Sequence, residues 1–176
     1  DADSNSVSVN TATGVETEHL NEMLNNNYTM VSSKYTADIY SGDVIEIPID
    51  TAYVQASDGQ LTSDNAGYKN DVVDLTRGDN ASFIIDVPQT AQYYISFDYY
   101  AYSDSILPVQ FSLSINGKIP FYEARRLIFE STWVEKKEKS YDRYGNEIVS
   151  VPDKLIRWEN KFIMDGSYRH SAPLAL

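Results

Sequence analysis

Polar and apolar residues alternate along the middle of the chain, and this alternation predicts β-strands. In residues 92–102, one set of side chains is mainly apolar and the intervening set is polar and aromatic. Successive side chains of a strand point to opposite faces, so the apolar set predicts a core-facing surface and the other set a surface open to solvent or a ligand. The apolar set is Tyr93, Ile95, Phe97, Tyr99 and Ala101, and the open set is Tyr94, Ser96, Asp98, Tyr100 and Tyr102.

The same period of two predicts further short strands on both sides of this segment. Residues 81–87 and 109–115 alternate in this way, and Asn116 and Gly117 then predict a tight hairpin turn, because both residue types tolerate positive φ. A first strand is predicted from about Asp43 to Ile49, either at a sheet edge or ending at Pro48, because Pro48 has no amide hydrogen for a ladder. Further strands are predicted within residues 72–75, 127–134 and 156–164, and residues 135–146 predict an exposed loop or hairpin.

Many short strands separated by turns, with almost no helical pattern after residue 40, are typical of an all-β fold, either a β-sandwich or a jelly roll. The polar residues 1–15 predict a disordered tether. In residues 16–40 apolar side chains recur every three to four positions, which predicts a leader segment with a short helix, weakened by three consecutive asparagines. The β-sandwich domain is therefore predicted over residues 41–176.

The charge of the chain limits its partners. The 176 residues include 14 Lys and Arg against 26 Asp and Glu, so the formal net charge is −12. Nucleic acid is excluded as a partner because its phosphates require a basic surface, and an anionic membrane surface is disfavoured for the same reason. No run approaches the roughly 18 apolar residues that span a bilayer, so no direct membrane insertion is predicted. The absence of cysteine excludes thiol nucleophiles and Cys-ligated zinc.

Catalytic motifs are sparse in the sequence. It contains neither a glycine-rich phosphate loop nor a GxSxG nucleophile elbow, and its two histidines, His19 and His170, lack metal-ligand spacing. A glycosidase needs two carboxyl groups across a sugar bond, and the candidates for that pair are Glu123, Glu130 and Glu135. Their spacing singles out no pair, so solvated surface acids are the favoured interpretation, and a small glycosidase remains an alternative.

The open set of side chains is more typical of sugar binding than of catalysis. A pyranose presents an apolar face and a rim of hydroxyls, which an aromatic ring beside a carboxylate, amide or guanidinium complements. The competing interpretation is that a loop or another domain covers these tyrosines. Trp133 and Trp158 are predicted to lie in the core. The predicted sugar-binding residues are Tyr94, Asp98, Tyr100, Tyr102, Gln110 and Arg125.

A structural calcium ion is the one cofactor that the sequence leaves open. Asp43, Glu46 and Asp50, near the predicted first strand, offer the oxygen ligands that a hard cation prefers. No EF-hand spacing accompanies them, so the calcium prediction depends on composition and proximity alone.

Several motifs in the second half of the chain resemble, in matching order, those of one known family. They are AQYYISFDYYAY at residues 91–102, LSINGKIPFYEARRLIFESTW at 113–133 and YDRYGNEI at 141–148, followed by the Trp158 segment and residues 166–173. The chain is similar in these motifs to the amino-terminal carbohydrate-binding-like β-sandwich of long extracellular solute-binding proteins, which serve ABC sugar importers in Gram-positive bacteria.

The resemblance implies a galactose-binding-like jelly roll in a non-enzymatic domain that binds an oligo- or polysaccharide. It also implies an exported lipoprotein tethered to the outer face of the cytoplasmic membrane, although the lipid-modified cysteine is absent from this sequence. The calcium-binding E-x-E of related carbohydrate-binding modules has one counterpart glutamate here, Glu46. Sequences of this kind continue past the position of Leu176 with another strand, so we expect the chain to be a fragment.

An alternative partner follows from the same resemblance. The domain would then be a structural or interaction module that packs against the remainder of the parent solute-binding protein or against the transporter. In that case a neighbour would bury the tyrosines of the open set, and their replacement would impair assembly rather than sugar affinity.

Overall fold

The chain forms two compact units. The computed structural model describes residues 20–54, 58–102, 105–136 and 138–176. The predicted tether, residues 1–15, lies outside the described residues. The first unit takes its described residues from Asp1–Thr36 and Tyr94–Leu174, and the second takes them from Ala37–Tyr93 and Ala175–Leu176.

Short helices precede the strands of the first unit. Residues 20–25 are helical (α1), and Tyr28–Ser32 form α2. Between them, the Asn27 side chain accepts a hydrogen bond from the backbone N–H of Met30 and caps α2. Asparagine favours caps over helix interiors, so the asparagine run divides the predicted short helix in two.

Two further helical turns lie later in the chain. Ile49–Ala52 form α3 in the second unit, and Tyr122–Arg125 form a 3-10 helix in the first. Among the described residues, no helix is long and apolar enough to cross a bilayer.

Short strands make up the rest of the regular structure, and antiparallel ladders join them in twos. The strands are β1 (Gln60–Thr62), β2 (Val72–Asp74), β3 (Gln92–Tyr93), β4 (Ser96–Tyr100), β5 (Val109–Phe111), β6 (Leu127–Phe129), β7 (Trp133–Val134), β8 (Ser140–Tyr141), β9 (Glu147–Ile148), β10 (Asp153–Lys154), β11 (Trp158–Phe162) and β12 (Leu174–Ala175). Ladders pair β1 with β2, β4 with β11, β5 with β6, β7 with β10, and β8 with β9. Strands with few short helices place the described chain in the all-β class, and each sheet of the described residues has two strands.

The first unit has an apolar core. Phe121, Ile163 and Leu174 are each 1% exposed, and burying such side chains stabilises the fold by roughly 1.5–3 kcal/mol each. Helix α2 joins this core through Tyr28, whose ring meets that of Phe121 edge-on at 5.1 Å between centroids. The core cluster consists of Phe121, Ala124, Leu127, Ile163, Ala172 and Leu174.

The second unit has a smaller apolar centre. Tyr40 stacks on Tyr93 with ring centroids 4.9 Å apart. Ala91 and Leu176 exchange two backbone hydrogen bonds, of 3.2 and 3.0 Å. Its buried described residues are Ala52, Tyr53, Ala91 and Tyr93.

Two of the predicted strands are wrong. Within residues 45–49, the chain instead starts α3 after Pro48, whose carbonyl oxygen accepts a hydrogen bond from the N–H of Ala52 at 3.1 Å. Proline fixes φ at a value that suits a helix start, so local geometry overrides the alternation. Residues 81–87 contain one isolated bridge, from Phe83 to Tyr53, and Ile84 is 72% exposed. Alternation without a partner ladder does not produce a strand here.

The two predicted turn regions are confirmed. Asn116 and Gly117 have φ values of 50° and 73°, and the flanking Ile115 and Lys118 exchange backbone hydrogen bonds of 2.8 and 3.0 Å. The charged segment after residue 135 forms the exposed hairpin of β8 and β9.

Candidate functional site

The longest ladder of the first unit presents one face to solvent. Strands β4 and β11 pair antiparallel along their whole length, with Trp158 opposite Tyr100, Asn160 opposite Asp98, and Phe162 opposite Ser96. Residues that face each other in a ladder point to the same side of the sheet, so these three pairs share one surface. We call this surface the open face, and it consists of Ser96, Asp98, Tyr100, Trp158, Asn160 and Phe162.

The opposite face of the same ladder is packed on aromatic side chains. The ring centroid of Phe97 lies 5.9 Å from that of Phe111, and the centroid of Tyr99 lies 4.9 Å from that of Phe129. Burial raises the pKa of Tyr99 to about 12, and the nearby carboxylate of Glu159 adds to the shift. This inner face fixes the ladder to the core and supports the open face from behind.

Aromatic side chains occupy the two ends of the open face. Tyr100 and Trp158 pack side by side at one end, with ring centroids 5.5 Å apart and planes at 41°. Both are half-buried. Phe162 lies at the other end and is 44% exposed. An exposed ring held by a ladder offers an apolar platform at low entropic cost, since its rotamer is already restricted.

Polar side chains occupy the centre between these rings. The Asn160 amide nitrogen donates to the Asp98 carboxylate at 2.7 Å and lies 3.2 Å from the Ser96 hydroxyl oxygen. Asp98 and Asn160 are both exposed. The amide therefore orients the carboxylate, while both side chains remain accessible from solvent.

The two outer tyrosines of the predicted set flank this surface. Tyr94 precedes β4 and is 49% exposed, and Tyr102 follows it and is 57% exposed. The N–H of Tyr102 donates to the carbonyl oxygen of Tyr100 at 3.1 Å, so the chain turns directly after β4. Of the predicted sugar-binding residues, Tyr94, Asp98, Tyr100 and Tyr102 thus lie on one short stretch of chain around the open face.

The other two predicted residues make different contacts. Gln110, on β5, accepts a hydrogen bond from the Arg126 guanidinium at 3.1 Å. Arg125 forms an ion pair with Glu22 at 2.7 Å, and its guanidinium lies 5.3 Å from the ring centroid of Tyr122. These contacts engage neither side chain with the rings of the open face.

Sequence reasoning missed half of the open face. Trp158, Asn160 and Phe162 come from β11, where they alternate with the charged Glu159 and Lys161. This pattern predicts the aromatic rings on the core side, and the pairing of two strands so far apart in the chain, which places them on the open face, could not be predicted from local sequence. The core prediction for Trp133 is wrong, because this side chain is 42% exposed. Trp158, which was also predicted to lie in the core, is half-buried on the open face instead.

A cavity of about 540 Å³ lies elsewhere in the first unit, beside α1, α2 and residues 165–167. It is lined by apolar side chains of both helices and by the carboxylates of Glu123 and Asp165. Glu123 accepts a hydrogen bond from the backbone N–H of Tyr28 at 3.0 Å, and Asp165 accepts from the Ser167 hydroxyl at 2.7 Å. Both carboxylates therefore hold local structure. The other glycosidase candidates, Glu130 and Glu135, are exposed.

The acidic residues of the calcium prediction have not been brought into a cluster. Glu46 pairs with Lys69 at 3.0 Å, and both side chains are well exposed. In the part of the chain that the structure describes, no group of three or more acidic or histidine side chains is arranged to hold a metal ion. Calcium binding stays a prediction.

Comparison of the chain with protein-family models, curated proteins and solved structures finds no match. The fold and the surface define a strand-rich protein with an aromatic and polar open face.

Proposed function

We propose that this chain is a non-catalytic carbohydrate-binding domain and that the open face is its binding surface. The observation that carries the proposal is the row of side chains along β4 and β11, with aromatic rings at both ends and hydrogen-bonding groups between them. The mechanism is recognition alone, and no bond of the sugar is broken.

The chemistry of this row complements a sugar. The apolar face of a pyranose stacks on Trp158 or Phe162, which removes apolar surface of both partners from water. The carboxylate of Asp98 accepts hydrogen bonds from hydroxyl groups, and such charge-assisted bonds are roughly twice as strong as neutral ones. Asn160 supplies an amide beside it.

Binding at such a surface is weak. The face is open, so a bound sugar keeps part of its hydration shell and buries little area. We expect micromolar or weaker dissociation constants, equivalent to about 5–8 kcal/mol.

The wider setting belongs to the same proposal. The resemblance of the motifs supports a galactose-binding-like β-sandwich, and it supports a place in an extracellular sugar-uptake protein tethered at the membrane surface. The remainder of that protein would be the partner that presents the captured glycan to a transporter.

Affinity electrophoresis tests the proposal. The native chain is run in gels that contain xylan, glucomannan, starch, mixed-linkage β-glucan, chitosan or polygalacturonate. We expect at least one polysaccharide to retard it, and we expect Trp158→Ala and Tyr100→Ala to remove that retardation. Tyr144→Ala is the matched control, because Tyr144 is 73% exposed in the β8–β9 hairpin loop. If no polysaccharide retards the chain, sugar recognition is contradicted.

A second candidate function, an interaction domain, is favoured by exposed apolar side chains of the second unit. Val44, Ile84 and Ile85 of the second unit are 91%, 72% and 42% exposed. Exposed apolar patches mark protein contacts in many proteins, and Ile84 and Ile85 are neighbours in the chain. Under this function, Ile84→Ser would weaken assembly with the parent protein in a pull-down, while Trp158→Ala would leave assembly unchanged.

A further inference from the structure

The open face is longer than a single sugar ring. Trp158 and Phe162 are the first and last residues of β11 and point to the same side of the sheet. Four residues of a strand span roughly 13 Å. One pyranose ring is shorter than this distance, so rings stacked on the two ends cannot be the same ring, and at least one unit lies between them.

The charge of the open face is one-sided. Asp98 is the charged residue among the six of the open face, and the other five are neutral. The chain as a whole has a formal net charge of −12. An anionic glycan would place its carboxylates or sulfates next to Asp98 and within this negative field, and like charges repel at such short range.

We infer that the open face takes a linear, uncharged glycan of at least three units, lying along the strand direction. The inference rests on the proposed function and adds the ligand's length and charge. Trp158 with Tyr100 and Phe162 stack on rings at the two ends, while Asp98 and Asn160 bond the hydroxyls of the unit between them.

A length series tests this inference. The native chain is titrated by calorimetry with mono-, di-, tri- and hexasaccharides of β-1,4-linked glucose, xylose and mannose and of α-1,4-linked glucose, and with oligogalacturonates of the same lengths. In at least one neutral series we expect the hexasaccharide to bind about ten-fold more tightly than the disaccharide, as the second stacking contact predicts. We expect oligogalacturonates to bind more weakly at every length.

Variants of Phe162 test whether the dependence of affinity on saccharide length arises at this end of the open face. Phe162→Ala removes the far platform, so we expect the hexasaccharide to bind this variant no more tightly than the disaccharide does. Phe162→Leu is the second variant, since it keeps apolar volume and removes the flat ring, and circular dichroism checks the fold of both. Tyr144→Ala, the control with an exposed ring in the hairpin loop, is expected to keep the full length dependence.

The outcomes separate the inference from the proposed function. Equal affinity for disaccharides and hexasaccharides, tighter binding of oligogalacturonates, or no binding in any neutral series would each overturn the inference. The polysaccharide gels test sugar recognition independently of the length series, because they include charged and branched polymers. If the gels show retardation and the length series is flat, sugar recognition survives and the elongated site does not.

Discussion

The two faces of the β4–β11 ladder are formed by alternate residues of the same two strands, but they make different kinds of contact. On the inner face, Phe97 and Tyr99 lie against Phe111 and Phe129. On the open face, the rings of Trp158 and Phe162 remain accessible, and the centre is polar. Because the period of a strand is two, one short sequence separates the side chains that stabilise the fold from those free to recognise a ligand.

This difference predicts a large loss of stability when a phenylalanine of the inner side is replaced and a small loss when one of the open face is replaced. Phe129→Ala empties a site beneath the inner face, where Phe129 is 6% exposed, and we expect it to reduce the free energy of unfolding by about 3–5 kcal/mol. Phe162→Ala, on the open face, is expected to cost about 1 kcal/mol or less. Urea unfolding followed by circular dichroism measures both. Equal losses would mean that the open face is part of the core.

A smaller effect is expected from the polar centre of the open face. Asp98→Ala removes a charged acceptor, and hydrogen bonds to charged groups contribute roughly 1.5–3 kcal/mol, so glycan affinity is expected to fall by about ten-fold or more. Asp98 is exposed, so the free energy of unfolding is expected to change little. Calorimetric titration with the hexasaccharides and urea unfolding give the two numbers. A large loss of stability with unchanged affinity would assign Asp98 to the fold.

The stability of the inner face is expected to depend on alkaline pH, because the phenol of Tyr99 is packed there. Burial raises the pKa of Tyr99 to about 12 from its ordinary value of 10.0. A raised folded-state pKa means that the stability linked to the protonated phenol is complete below pH 10 and is lost as the pH rises towards about 12. Urea unfolding at these two pH values is expected to show a smaller decline for Tyr99→Phe than for the native chain. Identical declines would show that Tyr99 is not the group responsible.

The smallest effect is expected in the hairpin loop, the control region of the binding experiments. Hydrogen bonds from the side chain and backbone of Asn146 lower the pKa of Asp142 from its ordinary value of 3.8. Their contribution is present above that value and is lost as the pH falls through the lowered pKa. The protection of the Tyr144 and Asn146 amides from exchange, relative to the intrinsic rate at each pH, is expected to fall in acid, because both N–H groups donate to Asp142. Unchanged protection would contradict a role for the carboxylate in this loop.

The sequence predicted that the open face is aromatic and polar, but it predicted only some of the residues that form it. The alternation of residues 92–102 predicted an outward set that includes Tyr94, Asp98, Tyr100 and Tyr102. This prediction needs only neighbouring positions of one strand, because successive side chains point to opposite faces. It did not identify Asn160 or Phe162, since the pairing of β4 with β11 depends on contacts between distant parts of the chain. Local geometry also overrode the pattern at Pro48, where a helix begins in place of the predicted strand.

The chain contains two tryptophans, which allows sugar contact at the open face to be observed directly. Trp133→Phe leaves Trp158 as the sole tryptophan, and Trp158→Phe leaves Trp133, which lies on β7. Both variants are titrated with the neutral hexasaccharides while tryptophan emission is recorded. A saturable change from Trp158 and none from Trp133 is the expected result. A silent Trp158 in a variant that still binds the saccharide would contradict recognition at the open face.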